Sequence, residues 1–198
     1  MALKIDNDNY TDDLVFGKGL GLYLDYKKEH AMNSLIALGT PVGELLKQEE
    51  QSLAVCESSI AGLLSAALVS VPGASAYFLG GTVVYTLESR RQFLAMTDEE
   101  MKGIRSATEE YALLCARSIH KTLGGTWALA ETGATGPASN PYKDPPGTAW
   151  FAVTGPIERT LQIKTGHNRR EDNMWQFAEA ALSLLEECIR EAAVLDNH

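Results

Sequence analysis

The sequence predicts an α/β fold, a three-layer α/β/α sandwich built on a mixed, partly parallel sheet. Three observations carry that expectation. Apolar runs of strand length alternate with longer segments of helical periodicity, the order that gives parallel strands joined by crossover helices. Two later strand-like runs flank Gly155-Pro156, which adds an antiparallel hairpin. A regular apolar stripe at helical spacing then closes the chain.

The elements follow in order. Residues 1–31 are polar and read as an N-terminal extension, and residues 32–198 as the α/β domain. The extension holds Gly17-Lys-Gly-Leu-Gly21, but its spacing is not that of a dinucleotide or Walker loop and no clear strand precedes it, so it reads as linker. Met32 to Lys47 has a helical pattern in which Gly39 and Pro41 mark a break or a new start. Leu53-Ala-Val-Cys-Glu57 is a buried strand. From Ile60, apolar residues recur at Leu63, Leu64, Ala67 and Leu68, which predicts a helix with Ser58 or Ser59 as its N-cap. Val71-Pro-Gly-Ala-Ser75 is a loop, and Gly81-Thr-Val-Val-Tyr85 a second buried strand. Ile104, Tyr111, Leu114, Cys115 and Ile119 predict one long amphipathic helix over Asp98–Leu123, ended by Gly124-Gly125. Thr126 to Thr132 reads as the third strand and runs into Gly133-Ala-Thr-Gly136-Pro137. Thr148–Thr154 and Glu158–Lys164 are the hairpin, and Met174, Phe177, Ala178, Ala181, Leu182, Leu185 and Ile189 the closing helix.

Composition narrows the function. The 198 residues carry 17 Lys plus Arg against 26 Asp plus Glu, a formal charge of −9, which argues against non-specific binding to nucleic acid or to an anionic membrane surface. No apolar run reaches membrane-spanning length, and the acidic N-terminus lacks the features of a signal peptide, so the expected location is cytoplasmic. Cys56, Cys115 and Cys188 are far apart within apolar segments and read as buried thiols. The four histidines show no ligand spacing, so no metal site and no cofactor is expected.

In an α/β sheet, ligands gather at the C-terminal ends of parallel strands. The three loops leaving such ends, Glu57–Ile60, Tyr85–Arg91 and Gly133–Gly147, are expected to share one cleft. The turn after Glu57 admits two readings. Ser58 is a plain N-cap, or its hydroxyl is an acyl-transfer nucleophile beside the free N–H groups of a helix start. Likewise Arg90 and Arg91 are a solvated helix start or a phosphate contact. Tyr142 is an exposed loop residue or stacks on a ligand ring, and Trp127, Trp150 and Trp175 are packing residues.

Four blocks of the sequence resemble a known family. Cys56-Glu-Ser-Ser-Ile-Ala-Gly62, Val71–Tyr85, Glu131-Thr-Gly-Ala-Thr-Gly-Pro137 and Pro146-Gly-Thr148 look, in order, like the successive blocks of the CinA C-terminal domain family, over roughly residues 32–190. The family's first block usually reads Glu-Ser-Cys-Thr-Gly-Gly, its second ends in a Tyr-Ser-Asn-Glu-Ala-Lys type sequence, and its third is Thr-Gly-Ile-Ala-Gly-Pro. Active members are amidases that convert nicotinamide mononucleotide to nicotinate mononucleotide and ammonia, and the family tends to form dimers. The resemblance therefore implies a nucleotide-like small-molecule ligand and a homodimer. It gives Ser58 the nucleophile's place and Tyr85 that of the catalytic tyrosine. Arg90 takes the place of the lysine five residues after the tyrosine. Glu57, Ser59, Ile60, Ala61, Gly62, Thr132, Gly133, Thr135, Gly136 and Arg170 fall at the expected ligand-binding positions, with the amides after Ser58 as oxyanion hole.

The departures are chemical. Arginine stays protonated at any ordinary pH, so Arg90 keeps the lysine's charge and loses its capacity as a base. Ile60 and Ala61 replace a threonine and a glycine beside the nucleophile. Ala138-Ser-Asn-Pro-Tyr-Lys-Asp-Pro145 replaces a glycine-rich loop. A second arginine expected one turn after the Gly166-His-Asn-Arg169-Arg170 segment aligns near Met174. Two functions remain open on this reading, a nicotinamide-nucleotide amidohydrolase and a family member that binds a nucleotide-like ligand without turning it over.

Overall fold

The computed structural model describes residues 34–195; the predicted polar extension and its glycine stretch lie outside them. The chain runs α1 (Leu35–Gln48), β1 (Leu53–Glu57), α2 (Leu63–Ser70), a 3-10 turn (Ala74–Ala76), β2 (Phe78–Val83), α3 (Leu87–Leu94), α4 (Glu109–Leu123), β3 (Trp127–Ala134), β4 (Thr148–Thr154), β5 (Arg159–Lys164) and α5 (Arg170–Leu195). The five strands form one sheet in the order β2-β1-β3-β4-β5. β1 is parallel to both β2 and β3, whereas β3–β4 and β4–β5 are antiparallel. The predicted mixed sheet, hairpin and closing helix are all present.

Alternation along the strands sorts the core into two clusters. Leu53 and Val55 of β1 with Trp127 and Leu129 of β3 face the side packed by α1, α2 and α5. Ala54, Cys56, Ala128, Ala130 and Ala152 face the side packed by α3 and α4, where Tyr111, Cys115 and Ile119 meet them. The sheet is thus the middle of three layers. All three cysteines are buried and free. Among the described residues, no helix is long and apolar enough to cross a membrane.

Four local expectations are corrected. The helix over Leu35–Gln48 is continuous through Pro41 and shows no break at Gly39. Gly39 instead serves a helix contact: a Cβ there would lie 2.2 Å from the Ala67 carbonyl oxygen on α2. Secondly, α2 begins at Leu63 with Gly62, at φ 101°, as its N-cap, so neither Ser58 nor Ser59 caps it. A third correction concerns β2, which starts at Phe78, ends at Val83, and is a half-exposed edge strand. Its continuation through Val84 and Tyr85 leaves the ladder for the loop before α3. The fourth is the single helix predicted over Asp98–Leu123, which is a turn region followed by a 15-residue helix capped by the Thr108 hydroxyl. Ile104 matches the helical period without being in the helix. The Leu87–Leu94 segment begins inside the loop expected over Tyr85–Arg91 and ahead of the helix start weighed at Arg90 and Arg91. It is a helix with a reciprocal capping box between Thr86 and Ser89.

Candidate functional site

The C-terminal ends of β1, β2 and β3 open into a cleft of 530 Å³. The three loops expected to share a cleft do so. Of the residues singled out in the sequence, Ser58, Ser59, Tyr85, Arg90, Thr132, Gly133, Thr135, Gly136 and Arg170 line it, together with Tyr111 and Tyr142. Glu57, Ile60, Ala61 and Gly62 do not. Ile60 is fully buried in the core cluster on the α2 side, and Ala61 is exposed. Glu57 points its carboxylate into its own turn, where it accepts hydrogen bonds from the N–H groups of Gly62 (2.8 Å), Leu64 (3.0 Å) and Ser65 (2.9 Å) and from the Ser65 hydroxyl (2.6 Å). The first turn of α2 is therefore capped by a carboxylate that precedes it, an arrangement that also suits the helix dipole.

A second carboxylate organises the serines. Glu131 lies one register step beyond the Cys56–Ala130 pair, on the same sheet face as Leu129 and next to Glu57. It is fully buried. Its Oε2 accepts the N–H groups of Ser58 (3.0 Å) and Ile60 (3.3 Å), and its Oε1 accepts the Ser59 hydroxyl. Burial, reinforced by the charge of Glu57, pushes its carboxyl up to about 7 against the pull of these three bonds. Sequence reading passed over Glu131 as an ordinary residue of a strand end. The available signal was its parity with Trp127 and Leu129, which places a carboxylate on a core-facing row. The predicted oxyanion hole is narrowed by the same contacts. The carboxylates occupy the amides of Ser58, Ile60 and Gly62 and leave those of Ser59 and Ala61. Ala61 reaches this geometry with φ at 53°, a left-handed conformation that costs an alanine about 1 kcal/mol or more.

The cleft is cationic where Arg90 and Arg170 line it. Arg90 is only 5% exposed, and its Nε is buried with no hydrogen-bond partner among the described residues. The guanidinium lies 6.0 Å from the Tyr111 ring centroid, over its face, and forms no salt bridge among the described residues. Thr135 Oγ1, also buried, likewise lacks a hydrogen-bond partner among the described residues. Arg170 donates to the Gly136 carbonyl (2.6 Å) and to the Tyr85 hydroxyl (3.3 Å), so Tyr85 is engaged by the arginine end of the cleft. The Thr132 hydroxyl accepts the N–H of Ala107 at 3.1 Å. The Gly133–Gly136 segment is held from α5 by Asn173, a buried residue that no sequence motif singles out. Its Nδ2 donates to the carbonyls of Thr135 (2.8 Å) and His167 (3.1 Å). Glycine is required at Gly136, where φ is 105° and a Cβ would meet the Asn168 carbonyl at 2.8 Å. The rim loop is stiffened by Arg105, which pairs with both oxygens of Asp144 (2.5 and 2.9 Å) and lies 5.2 Å over the Tyr142 ring. Tyr142 thus stacks on a side chain of the protein itself.

This arrangement has relatives. The CinA C-terminal domain profile matches residues 36–189. The chain belongs to the CinA C-terminal domain family. It is 32% identical over 151 residues to a CinA-like protein of Cytophaga hutchinsonii, covering 76% of this chain and 36% of that protein. A CinA-like protein of Gloeobacter violaceus is 32% identical over 150 residues, covering 75% and 35%. The chain thus spans about a third of the length of the curated relatives it matches. Among solved structures, a CinA superfamily protein from Klebsiella pneumoniae 700603 superposes with a TM-score of 0.74 at 24% identity, over 80% of this chain and 99% of that one. The competence damage-inducible protein A of Klebsiella pneumoniae subsp. pneumoniae MGH 78578 gives 0.72 at 25% identity, over 78% and 96%.

Proposed function

We propose that this CinA-family cleft binds a small phosphorylated ligand of the nicotinamide mononucleotide type. The observation that carries the reading is Arg90, a buried guanidinium facing the cleft that is paired with no carboxylate among the described residues. A buried cation without a partner is costly, and an incoming phosphate removes that cost through charge-assisted bonds suited to the guanidinium's planar fork. The unpartnered Thr135 hydroxyl is a second donor for the same anion, and Arg170 stands at the rim. Titration calorimetry with nicotinamide mononucleotide tests this. Arg90→Ala is expected to weaken binding by on the order of a hundredfold, and Arg90→Lys by less. Equal affinity in wild type and Arg90→Ala refutes the assignment.

The second reading is hydrolysis of the carboxamide of that ligand, with Ser58 as nucleophile and Tyr85 in proton transfer. It is favoured by the position of both residues on the cleft lining. Release of ammonia from nicotinamide mononucleotide that disappears in Ser58→Ala is its test.

A further inference from the structure

Hydrolysis of an amide by a serine needs an acceptor for the hydroxyl proton. Arg90 cannot be one, and among the described residues the Ser58 hydroxyl donates no hydrogen bond. Its neighbour has one. Ser59 lines the same cleft and donates its hydroxyl proton to Glu131 Oε1. The other carboxylate oxygen is fixed by two backbone N–H groups from the same turn. Nucleophile, base and a third group that orients the base are therefore all in place around Ser59, which is the arrangement that identifies an activated serine. We infer that Ser59 and Glu131 form the nucleophile–base pair of an acyl-transfer reaction in this cleft, acting on a carboxamide or ester of a small anionic molecule. The inference takes from the proposed function only the entry of such a molecule into the cleft, and it puts Ser59 in the place that the second reading gives to Ser58.

The step balances within the pair. Ser59 Oγ bonds to the carbonyl carbon as its proton passes to Glu131 Oε1. The tetrahedral adduct collapses with cleavage of the C–N or C–O bond, and the proton on Glu131 goes to the departing nitrogen or oxygen. Water then attacks the acyl carbon and gives its proton to Glu131. The carbon–Oγ bond breaks, and that proton returns to Ser59. The N–H group of Ser59, a cleft residue whose amide neither carboxylate takes, is the donor available to the oxyanion. A carboxyl that titrates near neutrality is well matched to taking and returning a proton. The titratable groups around it are Glu57 at the end of β1 and the thiol of Cys56, the latter held well above its ordinary value by its hydrogen bond to Cys115 and by burial. On the same sheet face, α1, α2 and α5 contribute apolar side chains such as Leu46, Leu64 and Phe177.

An alkyl fluorophosphonate reads the pair without a known substrate, because attack by the serine oxygen on phosphorus expels fluoride and leaves a stable adduct. Peptide mapping of the labelled full-length chain is expected to find the adduct on Ser59, with a labelling rate that rises with pH to a plateau with its midpoint near 7. Labelling should vanish in Ser59→Ala and fall at least a hundredfold, with loss of the pH midpoint, in Glu131→Gln. An adduct on Ser58, a pH-independent rate, or no adduct in the folded wild-type chain overturns the pair. Nucleotide binding sensitive to Arg90 is measured separately, so the pair and the binding reading fail independently.

Discussion

The two ends of the cleft are built on opposite plans. At the serine end two buried carboxylates, Glu57 and Glu131, are matched by seven hydrogen bonds from the turn between β1 and α2 and from the first turn of α2. At the arginine end the buried Nε of Arg90 and Oγ1 of Thr135 meet no hydrogen-bond partner among the described residues. A folded chain satisfies its buried polar groups unless something outside it is to do so. The serine end is thus completed by folding, and the arginine end is left for a ligand. Substitutions at the first should cost stability, and substitutions at the second should cost affinity.

The largest effect is expected at Glu57. Glu57→Ala orphans three backbone N–H groups and a hydroxyl in the interior, and urea unfolding at neutral pH should show a loss on the order of 4 kcal/mol. A loss below 1 kcal/mol would remove the ground for the comparison. Next comes a pH effect at Glu131. An acid whose folded value, about 7, exceeds its ordinary 4.5 takes up a proton on folding between those two pH values. Its contribution to stability is therefore greatest at and below pH 4.5, declines as pH rises to about 7, and stays at its lower level above. The stability difference between wild type and Glu131→Gln should change by roughly 3 kcal/mol across that window, seen as a pH series of unfolding curves. The arginine end should respond with the opposite sign. Thr135→Val removes an unsatisfied hydroxyl at nearly constant shape, so it should raise stability by about 1 kcal/mol while weakening nucleotide binding roughly fivefold in calorimetry. Smallest is Ala61→Gly, which relieves the left-handed backbone and should stabilise by roughly 0.5 kcal/mol, readable as a small rise in thermal midpoint.

Much of the fold was legible because local pattern and tertiary role agree. Leu53–Cys56 is a continuous apolar run since both faces of β1 are covered, and the hairpin at Gly155 is announced by its turn residues. The site was legible in its loops and less so in its contacts. The start of α2 was misplaced because its cap is Glu57, which acts on N–H groups five to eight residues further along, outside the window in which a serine cap is recognised. Thr108 followed by Glu109 and Glu110 did carry a helix-start signal, but the coincidental phase of Ile104 drew the prediction back to Asp98. Glu131 and Asn173 act across 72 and 38 residues of sequence, and pairings of that kind are fixed by sheet register and helix docking, which periodicity does not encode.

The unequal stocking of the two sheet faces has a consequence for how the protein can vary. On the α5 side, Phe151, Phe177, Leu182 and Leu185 supply bulk that neighbours can trade among themselves when one of them changes. On the α4 side the fully buried sheet residues are Ala54, Cys56, Ala128, Ala130 and Ala152, with the partly buried Trp150 packed against them, so most of the helix floor is methyl and thiol groups with little volume to exchange. One added methylene there has to move the whole of α4. One face of the sheet is thus free to drift in sequence, and the other is held to small side chains by the distance at which its helix rides.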